Sequence, residues 1–162
     1  SHSYFNLNPS NNSILNHKLK INSDKYIPIN KEFLPVGKIE KIINTPFDFT
    51  NSRKIGEQIN YDNKQLKIAN GYDHCYVLGK ESEIAVEISD KKSGRKLTIS
   101  TNQPGVQLYS GNHLSEKFNQ NQGLCLETQH FPDSPNNDKF PITKLMAKEK
   151  YYSETTYVFD VI

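Results

Sequence analysis

Ile84-Ala-Val-Glu-Ile-Ser-Asp-Lys-Lys-Ser-Gly-Arg-Lys-Leu-Thr-Ile-Ser-Thr101 decides the fold class. Ile84, Val86 and Ile88 alternate with Ala85, Glu87 and Ser89, the period of two that a strand with one buried face requires. Lys96 to Thr101 reads as a second strand, and Ser93-Gly94 between the two is a hairpin signal. Working outward, Gln65 to Ala69 and Cys75 to Leu78 read as strands separated by Asn-Gly and Gly-Lys turns. Gly105 to Tyr109 follows, with Val106 and Leu108 on one face and Gln107 and Tyr109 on the other. Tyr151 to Val161 closes the chain with Thr155, Tyr157, Phe159 and Val161 in alternation. Upstream, Ser1 to Leu7, Lys18 to Ile21, Tyr26 to Ile29 and Lys38 to Ile43 are short extended segments, as is Lys139 to Ile142 downstream. The most helix-like place is Asn51 to Glu57, one or two turns with Asn51 able to cap. Many short strands and no long helix predict an all-β sandwich or barrel.

The bulk composition agrees. A chain of 162 residues suits one domain, taken here as residues 1–162. Hydrophobic residues make up 35%, thin for a helical bundle but suited to strands with one wet face, and nine Tyr and eight Phe favour strands. A net charge of +2 with scattered basic residues gives no nucleic-acid footprint. No apolar run approaches the ~20 residues of a membrane-spanning helix. No signal peptide is visible, although a chain opening on Ser1 instead of Met gives that absence little weight. Cys75 and Cys125 define no disulfide framework or zinc knuckle and are expected to be buried reduced thiols.

The chemistry centres on Gly123-Leu-Cys-Leu-Glu-Thr-Gln-His-Phe-Pro-Asp-Ser-Pro-Asn136. Leu124, Leu126 and Thr128 point to one face and Cys125, Glu127 and Gln129 to the other, so a carboxylate sits inside an apolar strand just before a proline-rich turn. Such a half-desolvated carboxylate is a candidate general base; the plain alternative is a surface glutamate on an edge strand. His2, Asp73, His74, Gln107 and His130 also stand out. His2 could be a tag remnant and Asp73 a turn residue. A soft-metal site from His74, Cys75, Cys125 and His130 fails because neighbours on a strand face opposite ways. Histidine and glutamate as acid and base, with Asp and Gln as hydrogen-bonding groups, suit a sugar.

Five blocks carry a resemblance: Ser1-His-Ser-Tyr-Phe-Asn-Leu7, Thr45-Pro-Phe-Asp-Phe49, Gly71-Tyr-Asp-His74, Thr101-Asn-Gln-Pro-Gly-Val-Gln-Leu-Tyr-Ser-Gly-Asn112 and Leu126-Glu-Thr-Gln-His-Phe-Pro-Asp-Ser-Pro-Asn136. In this order they resemble the aldose 1-epimerases, the galactose mutarotases, nearly end to end. The resemblance implies a large antiparallel β-sandwich, the galactose mutarotase-like supersandwich, with a sugar cleft on one sheet. Carried over by position, His2 becomes the proton donor, Glu127 the proton acceptor, and Asp73 and Gln107 substrate-binding residues. It implies interconversion of the α and β anomers of an aldohexose such as galactose or glucose, in the cytoplasm, with neither cofactor nor metal. The alternative is a non-catalytic carbohydrate-binding or assembly fragment.

Two departures qualify it. Family members are about twice as long, so the chain reads as a C-terminal portion, expected to fold stably only against the missing N-terminal half, a second chain or another copy of itself. His113 stands where relatives commonly carry an aromatic residue, from which only a local packing difference is expected.

Overall fold

The computed structural model describes residues 1–10, 12–79 and 83–162. Its elements are β1 (Tyr4–Phe5), β2 (Lys18–Ile21), β3 (Lys25–Ile27), β4 (Glu40–Lys41), β5 (Arg53–Lys54), α1 (Lys64–Ala69), β6 (Asp73–Val77), β7 (Val86–Asp90), β8 (Arg95–Thr101), β9 (Gly105–Tyr109), β10 (Leu124–Gln129) and β11 (Thr155–Val161). One sheet has the strand order β1-β10-β9-β6-β3-β4 and the other β11-β8-β7-β2-β5. Every pairing is antiparallel, so the expected all-β sandwich is what forms. The hairpin at Ser93-Gly94 joins β7 to β8, with Asp90 opposite Arg95 and the Gly94 amide donating to the Asp90 carbonyl.

The alternation read from the sequence now has a physical destination. Leu19, Ile21, Val86, Ile88, Leu97 and Ile99 of the five-stranded sheet share one core with Tyr26, Tyr76, Val106, Leu108, Leu124 and Leu126 of the six-stranded sheet. Each fully buried side chain of this kind contributes ~1.5–3 kcal/mol, so a slip of one residue in any of these strands would exchange core for solvent. A smaller cluster of Ile27, Cys75, Phe131 and Phe140 lies on the outer face of the six-stranded sheet and covers part of it. Both cysteines are buried and free. Among the described residues no helix is long and apolar enough to cross a membrane.

Several segments differ from the reading of the sequence. Gln65 to Ala69 is helix, not strand. The Asn63 side chain caps α1 by accepting from the Gln65 and Leu66 amides, Asn70 closes it in the left-handed region at φ 54°, and Leu66 and Ala69, three apart, supply its buried face. Asn51 to Glu57 holds the two residues of β5 and a 3-10 turn over Ile55–Glu57 whose cap position, Lys54, makes no side-chain capping bond. Lys38 to Ile43 keeps only β4, and Lys139 to Ile142 forms no strand, because Phe140 is drawn into the outer cluster instead of a ladder. The last strand begins at Thr155, not Tyr151. The Gly-Lys turn at 79–80 includes residue 80 and lies outside the described residues.

Candidate active site

Two rows of side chains cross the outer face of the six-stranded sheet. Cys75, Gln107 and Glu127 are direct neighbours on β6, β9 and β10. Two residues along, and therefore on the same face, Asp73, Tyr109, Cys125 and Tyr4 form the second row. The antiparallel register thus assembles residues separated by up to about 120 positions in the chain, and every candidate role falls on this face or beside it.

His2 precedes β1 and folds over the second row. Its Nε2 lies 3.6 Å from Glu127 Oε1, and its Nδ1 lies 3.4 Å from Cys125 Sγ. The ring also meets Tyr4 at 5.3 Å. The Glu127 side chain is 19% exposed and His2 61%, so the carboxylate is held within the sheet while the imidazole is open to solvent. Burial raises the Glu127 carboxyl above its usual range; His2 opposes that shift and Asp73 adds to it. A carboxylate moved toward neutrality is a better proton acceptor.

Gln107 Nε2 donates to Asp73 Oδ1 at 2.8 Å. The other amide atom, Gln107 Oε1, is a buried acceptor without a partner among the described residues. Burial raises Asp73 too, and the bond from Gln107 and the nearby charges of His113 and His2 pull it back. His2, Asp73, Gln107 and Glu127 are therefore brought together on one face. The groups touching the His2 imidazole are Glu127, Cys125 and Tyr4, and the tag explanation of His2 has no support in this packing.

The other two histidines fall outside the cluster. His74 faces the core, with Nδ1 accepting from the Asp73 amide at 3.1 Å, Nε2 3.1 Å from Gln65 Oε1 and its ring edge-on to Phe47. Burial lowers it to about 3, so it stays neutral and structural. His130 lies beyond the end of β10 against Tyr151. Tyr4 and Tyr109 join the site without having been singled out in the sequence, and Cys125, weighed there only for a soft-metal site, lies among them, as alternation implies by putting Cys125 on the face of Glu127 and Tyr109 on that of Gln107. The His113 amide donates to the Tyr109 hydroxyl at 3.0 Å and its charge reaches Asp73, so its position involves the site as well as local packing.

The family described as aldose 1-epimerase matches residues 1–158. The chain belongs to the aldose 1-epimerase family. Human galactose mutarotase is 33% identical over 99% of this chain and 49% of its own length. The aldose 1-epimerase of Escherichia coli is also 33% identical, over 98% of this chain and 49% of its own. The crystal structure of a GalM/aldose epimerase homologue from C. elegans superposes with a TM-score of 0.89 at 27% identity, covering 99% of this chain and 50% of that one. This epimerase-family chain thus spans about half the length of the curated relatives it matches, and it shares its fold with the C. elegans homologue.

Proposed function

We propose that the chain is the C-terminal part of an aldose 1-epimerase, a single but incomplete domain, and that it carries the acid and base that interconvert the α and β anomers of an aldohexose such as galactose or glucose. The observation that carries this reading is the approach of His2 Nε2 to Glu127 Oε1 beside the Asp73–Gln107 pair. The two oxygens that exchange protons during ring opening, the C1 hydroxyl and the ring oxygen, are bonded to the same carbon, so a donor and acceptor must lie close together. Glu127 takes the proton from the C1 hydroxyl as protonated His2 gives one to the ring oxygen; the C1–ring oxygen bond breaks and an aldehyde forms. After rotation about C1–C2, neutral His2 recovers its proton from the chain hydroxyl as that oxygen attacks C1, and protonated Glu127 returns its proton to the aldehyde oxygen. Protons and charges balance using side chains alone. Gln107 Oε1 and the Asp73 carboxylate would receive sugar hydroxyls.

The open sheet edges described below, with the half-length coverage of relatives, support a partner that completes the sandwich, the N-terminal half before a second copy. Two free buried thiols suit a reducing compartment such as the cytoplasm. The test is polarimetric mutarotation of α-D-galactose by this chain together with its N-terminal half. Glu127→Gln and His2→Gln are each expected to lower the rate ~10²–10⁴-fold while the fold persists. A protein that binds galactose and shows no enzymatic mutarotation would replace this reading with that of a sugar-binding module.

A further inference from the structure

Cys125 has no part in the proton transfers, yet its Sγ sits against the same imidazole as Glu127. One ligating atom from each of His2, Cys125 and Glu127 lies within 4.8 Å of the others. Zinc holds thiolate sulfur at about 2.3 Å and imidazole nitrogen at about 2.0–2.1 Å, so two ligands of a tetrahedral ion stand about 3.5 Å apart. The Sγ to Nδ1 separation of 3.4 Å already matches that span. Glu127 Oε1 lies 3.6 Å from the other ring nitrogen, Nε2, so the imidazole or the carboxylate must turn for all three to reach one ion, and the 61% exposed His2 ring leaves room for that and an approach from solvent.

We infer that His2, Cys125 and Glu127 form a three-ligand site for a thiophilic divalent cation of the zinc class, which binds in place of the sugar and locks the acid and base out of reaction. Sulfur, imidazole and carboxylate together favour zinc, cobalt or cadmium over magnesium or calcium, which take oxygen ligands. β10 fixes Cys125 and Glu127 two residues apart on one face, and the third ligand arrives from the segment before β1, so the donors are prearranged by the sheet. Three protein ligands leave the fourth position open to water or a sugar hydroxyl. The binding part of this inference stands without the epimerase reading; the inhibitory consequence rests on it.

The probe is Co2+ alone, titrated into the intact chain and followed by absorption. One ion per chain with a thiolate-to-cobalt charge-transfer band is expected, displaced by Zn2+ and removed by a chelator. Cys125→Ser should abolish the band and Cys75→Ser should leave it. His2→Ala, at an exposed position that folding does not need, should weaken binding at least ~10-fold, which keeps the test decisive if Cys125→Ser fails to fold. Absence of binding, a bound ion without a thiolate band, or a band lost with Cys75 but kept without Cys125 would overturn the site. With the N-terminal half present, micromolar Zn2+ should abolish mutarotation and a chelator restore it. A cobalt–thiolate band in a protein that never mutarotates would keep the metal site and remove the epimerase reading.

Discussion

At the scale of single residues, polarity alone did not separate function from structure. His2, His74 and His130 all stood out in the sequence, and the fold gives them three different fates. The alternation around Gly71-Tyr-Asp-His74 decides one of them: Asp73 takes the site face and His74 the core. This buried neutral histidine makes stability depend on pH. Unfolded, it titrates near 6.5; folded, burial lowers it to about 3. Between those values the unfolded chain binds a proton that the folded chain does not, so stability is full above about 6.5 and falls as pH falls through that window. His17, also buried and lowered, acts in the same direction. The raised carboxyls of Asp73 and Glu127 act against it in the carboxylate range. The unfolding free energy from urea titrations is therefore expected to drop between pH 7 and 5 by up to ~1.4 kcal/mol per pH unit from His74, lowering the midpoint, and His74→Gln should remove most of that slope. An unchanged midpoint across the window would show that His74 is not held neutral. Glu127 was legible because a lone carboxylate interrupted an apolar strand; which of the polar residues stand beside it was not, because cross-strand register is absent from any single segment.

At the scale of elements, β10 is the part on which the site depends, and a turn holds it in place. Gly111 has φ 69°, and a Cβ there would overlap the carbonyl oxygen of Gly123, immediately before β10. The Asn121 amide donates to the Gly111 carbonyl at 2.9 Å, tying the two ends of this connection together. Gly111→Ala should cost ~1–2 kcal/mol for the left-handed backbone, plus the cost of the clash, and should displace Cys125 and Glu127 relative to Gln107. Chemical denaturation checks the first effect, and loss of mutarotation beyond the loss of folded protein checks the second. Gly111 carries no such signal in the sequence, because close approach of two backbones leaves no periodic trace. α1 was misread for a related reason. Six residues with Leu66, Ile68 and Ala69 fit a strand as well as a helix turn, and what decides is the Asn63 cap with Asn70 behind it. Asn63→Ala should therefore destabilise by ~1 kcal/mol, seen as a lower urea midpoint, whereas the same change at the exposed Asn136 should leave it unmoved.

At the scale of the whole molecule, the reading of the sequence expects half a sandwich to expose unpaired strand edges and an open core face, and the structure shows the edges: both sheets are packed on each other, with β4 and β5 outermost on one side and β1 and β11 outermost on the other. Phe5 touches Tyr157 at 5.8 Å and Phe159 at 6.3 Å, so the two edges meet there. Along the inward-facing positions of β11, Tyr157 is partly covered, Phe159 is 64% exposed and Val161 76%. Core-type side chains that become steadily barer along an outermost strand mark an edge open to pairing, in a chain that spans about half the length of human galactose mutarotase. The isolated chain should then self-associate through β11 at micromolar concentration, and Phe159→Lys, a charge at the barest part of that edge, should shift it toward monomer. Light scattering after size exclusion reads both species. Adding the N-terminal half should produce a one-to-one complex at the expense of the self-associated form, and Phe159→Lys should weaken that complex too, because both use the same edge. A chain that is monomeric alone and indifferent to its N-terminal half would mean that β11 is a finished edge.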